Sequence, residues 1–252
     1  MFAYFVVNLA HEGLGHGGAC LAVGGRLRAL SSAWFSGDLS GVGPWGQRLQ
    51  LAGGTAVNLV IGLGGYLWLV RRPPARALSY YVLWLTTFVN LFQGSGYLLA
   101  SPMFAFGDWQ EFLVGLTPPL VWRIGLIALG LVLSRWSLRR GRALLLPLLP
   151  AERSLARREA ALLCWIPYGL IGGIVYTLAA ARNPMAGLSI SSSLIGHLGG
   201  MLYLVLTPLR LTPAAGREGW EVPSSRAWIV AGAVLLMVVL LILGPSIQFD
   251  GG

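Results

Sequence analysis

Charge is what this sequence most lacks. Only 11% of its 252 residues are charged, against about 25% in a soluble domain. With 56% hydrophobic residues and a mean hydropathy of +0.70, that scarcity excludes an ordinary soluble globule and points to a polytopic membrane protein. Acid is scarcer than base, nine residues against 18, for a net charge of +9. Such a surplus raises nucleic acid as a partner. The arginines, however, cluster in short loops between apolar runs, which is the pattern of anchoring at a bilayer surface. No nucleic-acid partner is therefore expected.

Cysteine is down to two residues, Cys20 and Cys164. Both lie in apolar runs without the spacing of a pair, so no disulfide framework is expected. The first apolar run is too long for the core of a cleavable signal peptide. No loop is long enough to hold a soluble domain that would filter substrates, and no internal repeat is visible. Histidine is limited to three residues, yet two of them, His11 and His16, fall within six positions.

What is present is a series of apolar stretches, each about the length that crosses a bilayer as a helix. They cover 2–24, 49–70, 78–100, 118–136, 160–181, 185–207 and 227–243. The expected fold is thus all-α, with six to seven transmembrane helices. Between the first two, residues 25–36 alternate partly and are followed by Gly37-Asp38, which reads as a strand or hairpin. The turn residues Gly41 to Pro44 come next. Strands at membrane depth must pair internally or lie against protein, so a small sheet covering the polar cluster of the first segment is expected. The most polar stretch, 137–159, has six arginines and two glutamates and reads as a basic surface linker or as an interfacial helix. The expected organisation is a three-helix core over 1–117, with further transmembrane helices over 118–252. Gly13 and Gly17, or Gly169 and Gly173, suit close helix contacts within one chain or between two.

The cluster that carries chemistry is His11-Glu12-Gly13-Leu14-Gly15-His16, in the middle of the first apolar run. Ionisable groups at membrane depth are costly and mark functional sites. In the general zinc-protease pattern two histidines four residues apart share one helix face, and the glutamate beside the first acts as a base. Here the interval is five. At about 100° per residue, an interval of five leaves the rings roughly 140° apart around a regular helix. A π-bulge would return them to one face, and Gly13 and Gly15 make that distortion accessible. A bulge or break within 12–16 is the expectation.

A catalytic zinc takes three protein ligands and leaves one position open, so His11 and His16 need a third. Asp108 leads, after a glycine and between Phe106 and Trp109. Glu111 and His197 follow, and Cys20, four residues beyond His16, shares its helical face. Glu12 would act as general base toward a water activated by the metal. Asn58 and Asn90, polar groups in apolar runs, could hold a substrate strand or an oxyanion, or could simply bond helix to helix. Gln93 invites the same two interpretations.

Three stretches in this order resemble the site-2 protease family of intramembrane zinc metalloproteases: His11 to His16 with Gly24-Gly25-Arg26, Ala52 to Asn58, and Asn90 through Gly107-Asp108. The resemblance covers about residues 1–115. It implies that His11, His16 and Asp108 bind Zn2+, that Glu12 is the catalytic base, and that Asn58 and Asn90 help to position substrate. It implies cleavage of transmembrane segments of other proteins, by a multi-pass integral protein of a bacterial or archaeal cell membrane. Two other functions fit the same polar cluster. One is a catalytically inactive relative that binds membrane segments. The other is a metal or small-solute transporter, which would carry paired broken helices in two repeated halves.

Overall fold

A computed structural model describes residues 1–150, 152–193, 201–210 and 225–249. The first helix, α1, covers residues 2–22 and changes pitch twice. It is α-helical over Phe2–Asn8, a π-helix over Leu9–Gly17, and α-helical again over Gly18–Ala22. Strands β1 (Arg26–Leu30) and β2 (Phe35–Asp38) form the expected hairpin, with Arg26 opposite Asp38 and Leu30 opposite Phe35. Arg28 and Asp38 close it through a 2.7 Å ion pair. A third strand, β3 (Ile247–Gln248), adds to the other side of β1, so the sheet order is β2-β1-β3 and, among the described residues, β2 pairs only with β1. Two residues are too few to announce a strand in a sequence.

Four long helices follow. They are α2 (Pro44–Arg71), α3 (Ala77–Phe104), the one-turn α4 (Asp108–Leu113) with α5 (Pro119–Leu145), and α6 (Arg153–Ala181). After these come α7 (Ala186–Ser193), the short α8 (Tyr203–Leu206) and α9 (Arg226–Leu243). Proline opens α2 and α5, where a missing N–H costs nothing. Within α6 the backbone widens to a π-helix over Pro167–Val175, where the proline removes a hydrogen bond from the ladder.

One expectation about the segments needs correction. Among the described residues four helices, fewer than six to seven, are long and apolar enough to cross a membrane: α2, the helix through α5, α6 and α9. Helix α3 has the length but carries Thr86, Thr87, Asn90, Gln93 and Ser95 through its middle, and α1 carries the histidines and glutamate. In the 185–207 stretch the described residues form only α7 and α8, and His197 lies outside them. The described residues of 137–159, read as a linker or an interfacial helix, are largely helical. Helix α5 runs through its first arginines to Leu145 and α6 begins at Arg153. Arg142 lies under protein, where it donates to the carbonyls of Leu206 at 2.6 Å and Thr207 at 3.0 Å.

The core is built on α3. Tyr80, Trp84, Phe88 and Phe92 recur every fourth residue, the interval that stacks side chains along one helix face. Successive rings from Trp84 to Phe92 lie 5.4 and 6.0 Å apart. The Trp84 indole N–H donates to the Gly141 carbonyl of α5 at 3.0 Å. Around this column pack Tyr4 and Val7 from α1, Tyr176 from α6, Met201, and Leu243 from α9. One cluster thus draws on both the 1–117 and the 118–252 stretches. The Tyr176 hydroxyl donates to the Tyr4 carbonyl at 2.8 Å, across most of the chain.

Helices α3 and α5 approach most closely at Gly130, where an added Cβ would lie 2.6 Å from the Leu99 backbone nitrogen. Backbone cannot move aside as a side-chain tip does. Gly130→Val is therefore expected to cost about 1–3 kcal/mol, read as a lower thermal midpoint of the purified protein in detergent. Gly125→Val, on open surface of the same helix, should leave the midpoint within a degree or two.

Candidate metal centre

The π-helix of α1 resolves the five-residue interval between the histidines. Its hydrogen bonds link residues five apart, so His11 and His16 stand one above the other. Their rings lie 4.9 Å apart, at 80° to each other. The turn is held open from outside as well. Gly15 meets Gly53 and Gly54 of α2 backbone to backbone, and a Cβ at Gly15 would fall 2.4 Å from the Gly54 Cα. Small residues on both helices permit this approach.

Asp108 arrives from the far end of α3. The chain leaves that helix through Ala105, whose φ is 55°, and Gly107, whose φ is 70°. An added Cβ on Gly107 would meet the Tyr97 hydroxyl, so glycine is required there on both counts. The segment is then tied on every side. The Asp108 N–H donates to the Tyr97 hydroxyl at 3.1 Å, and the Trp109 N–H to Ser101 Oγ at 3.1 Å. The Trp109 indole donates to Thr55 Oγ1 of α2 at 3.0 Å. Arg48 caps the end of α4 by donating to the Phe112 and Val114 carbonyls, and Arg123 bridges Pro102 and Gln110.

The outcome is a cluster of three donors. Asp108 Oδ2 lies 3.2 Å from His16 Nε2 and 3.9 Å from His11 Nε2. The three ligand atoms all fall within 4.8 Å of one another. Four-coordinate zinc with bonds of about 2.0 Å separates its ligand atoms by about 3.3 Å, so the spacing fits one small ion. The far nitrogens must carry no proton for that to hold, and the hydrogen-bond chain places the single proton of each neutral ring on Nδ1. The Thr86 carbonyl can only accept, so the Asn90 amide NH2 faces it, at 2.8 Å. Asn90 Oδ1 then accepts from Asn58 Nδ2 at 2.7 Å, and the same NH2 donates to the Val7 carbonyl at 3.2 Å. This leaves Asn58 Oδ1 to accept from His11 Nδ1–H at 2.5 Å. His16 Nδ1–H donates to the Gln50 carbonyl at 2.8 Å. In the neutral state both rings thereby present Nε2 toward Asp108, the tautomer that binds metal.

Space is kept beneath those nitrogens as well. A Cβ on Gly54 would lie 2.6 Å from His16 Nε2 and 2.7 Å from His11 Nε2.

The cluster opens on a cavity of about 420 Å³. Its walls are Glu12 beside the histidines, Gln93 and Tyr97 of α3, residues 106–108, and residues 33–37 with the β2 strand. Glu12 is buried yet faces this space. Of the two readings of Asn58 and Asn90, the structure brings them together as helix-to-helix partners: both are fully buried and neither lines the cavity. Their amides are consumed in holding His11. Of the alternative third ligands, Glu111 is exposed on α4. Cys20 lies against Gly25 and Gly37, with its thiol donating to the Arg26 carbonyl at 3.6 Å. Neither belongs to the cluster. Tyr97, Gln50 and Thr55 were not foreseen. Only Tyr97 left a trace in the sequence, seven residues after Asn90 and so on the same face of α3.

Two substitutions probe this arrangement. Gly54→Ala should abolish stoichiometric metal binding by filling the space beneath both Nε2 atoms. Asn58→Ala should weaken zinc affinity by about 10–100-fold through loss of the His11 support. Competition titration against a fluorescent chelator measures both. Comparison of the chain with family models, with curated proteins and with solved structures finds no match.

Proposed function

We propose that this chain is an intramembrane zinc metalloendopeptidase that hydrolyses peptide bonds within transmembrane segments of other membrane proteins. The observation that carries the proposal is the cluster of His11 Nε2, His16 Nε2 and Asp108 Oδ2 with Glu12 in the same cavity wall. Two imidazoles, one carboxylate and an open side make the donor set of a catalytic rather than a structural zinc site. When bound, the metal supplies a Lewis acid that acidifies water and polarises a carbonyl.

The chain's own residues do the rest. Glu12 is adjacent to His11 and four residues before His16 on the widened helix. From there its carboxylate takes a proton from the attacking water and returns it to the departing amine. Asn58 and the Gln50 carbonyl keep the imidazoles aimed, and Tyr97 and Ser101 keep Asp108 in reach. The apolar walls of the cavity, Ala33, Phe35, Leu51 and Phe106, suit the apolar side chains of a membrane segment. Phe35, Ser36 and Gly37 of β2 form part of the same wall.

In this proposal α1 and α3 also lie at membrane depth, beside the four helices that are apolar enough to span. Helix α3, at 28 residues, is about 42 Å long and α1 about 30 Å, each sufficient to cross. Their polar residues face inward to the site, which is where a membrane protein keeps such groups. The location that follows is a multi-pass integral protein of a cell membrane.

The decisive experiment measures zinc and cleavage together. Purified wild type should carry about one zinc per chain, and His16→Ala and Asp108→Ala should carry none. Glu12→Gln should retain the zinc yet lose at least about 100-fold in the rate at which it cleaves a detergent-solubilised panel of transmembrane reporter segments. Wild type without zinc, or Glu12→Gln with undiminished cleavage, overturns the proposal.

A further inference from the structure

Helix α3 presents three polar side chains at helical intervals toward α1 and the cavity: Asn90, Gln93 and Tyr97. Two of them have structural employment. Asn90 is spent on Asn58 and the Thr86 carbonyl, and Tyr97 accepts from the Asp108 N–H and packs 5.8 Å from the His11 ring. Gln93 has none. It is 6% exposed and lines the cavity, and its Oε1 is buried with no hydrogen-bond partner. Across the cavity, in the turn between β1 and β2, the indole Nε1 of Trp34 is likewise buried, lines the same space and has no partner. Both residues thus line the cavity that the three metal-ligating residues also line, each with one covered polar atom left unpaired. Buried polar groups are normally paired, and an exception calls for a role.

We infer that the Gln93 amide and the Trp34 indole are substrate-binding groups, which take the main-chain N–H and C=O of a peptide opened for cleavage. The inference rests on the peptidase reading above and adds to it which groups hold the substrate. A transmembrane helix satisfies every N–H and C=O internally. Once unwound beside the scissile bond, those groups need partners that lipid does not supply. A primary amide offers both a donor and an acceptor, so it can match a peptide group. In this chain the task falls to Gln93, because Asn58 and Asn90 are occupied in the relay behind His11. Trp34 is placed for it by its own turn: its N–H donates to Ser31 Oγ at 3.0 Å, and its carbonyl accepts the Ser31 N–H at 2.9 Å.

The test uses two zinc-binding probes on the purified, zinc-loaded full chain. Acetohydroxamate reaches only the metal, whereas a Leu-Leu-Gly tripeptide hydroxamate adds main-chain groups that extend along the cavity. Gln93→Leu, close in volume and unable to hydrogen-bond, should weaken the tripeptide hydroxamate roughly tenfold, the worth of about one good hydrogen bond. Acetohydroxamate affinity and zinc content should be unchanged. Trp34→Phe, which keeps an aromatic ring and removes the indole N–H, should act in the same direction. Unchanged tripeptide binding in both variants overturns the inference and leaves the metal site standing, as does an equal loss for the two probes, which marks a structural effect. Wild type that holds no zinc and binds neither probe overturns the peptidase reading and this one together.

Discussion

The widened turn of α1 is the constraint on which the site depends. With α-helical pitch over residues 9–17 the two imidazoles would diverge by roughly 140°, and no placement of Asp108 could serve both. With five residues to the turn they stack over one point. A π-helix is a poor conformer taken alone, so it must be held by its surroundings. The surroundings here are a backbone contact, Gly15 on Gly53 and Gly54, too close for any side chain. The same absence of side chains that lets the helices touch also leaves room under the two Nε2 atoms. Steric permission and ligand geometry therefore come from one small patch.

The second constraint is the satisfaction of polar groups in apolar surroundings. Asn90, Asn58 and His11 form one directed chain across α3, α2 and α1, which ends on the carbonyls of Thr86 and Val7. Because the carbonyls can only accept, every amide and the His11 tautomer are determined without reference to a hydrogen atom position. Chains of this kind tie helices together in a medium where the hydrophobic effect does little. Such bonds can also orient a metal-binding histidine, and here one set of bonds both joins three helices and aims His11.

Much of this was legible in the sequence because it is local. Charge scarcity marks a membrane protein, and a histidine pair beside a glutamate within six residues marks a site. The odd interval between the histidines foretold a distortion between flexible glycines, and the π-helix extends somewhat beyond the 12–16 window expected for it. The hairpin after α1 was legible for the same reason. Among the described residues fewer helices are long and apolar than the sequence suggested, since polar groups such as Asn90 and Gln93 run through the middle of α3.

What a lone sequence leaves open is which polar groups meet. Asn58 and Asn90 look like substrate contacts and are instead the support of His11. Gln93, which invited the same suspicion, is the residue left facing the cavity. All three are uncharged amides in apolar helices, and only the rotation of each helix about its axis, set by side-chain packing along α3, sorts them. Asp108 likewise competed with Glu111 and Cys20 until the turn at Gly107 aimed it. The sequence by itself determined the chemistry on offer and the local pitch of the first helix. The choice of third ligand, the support of the histidines and the lining of the cavity belong to the tertiary structure, because each depends on contacts between helices far apart in the chain.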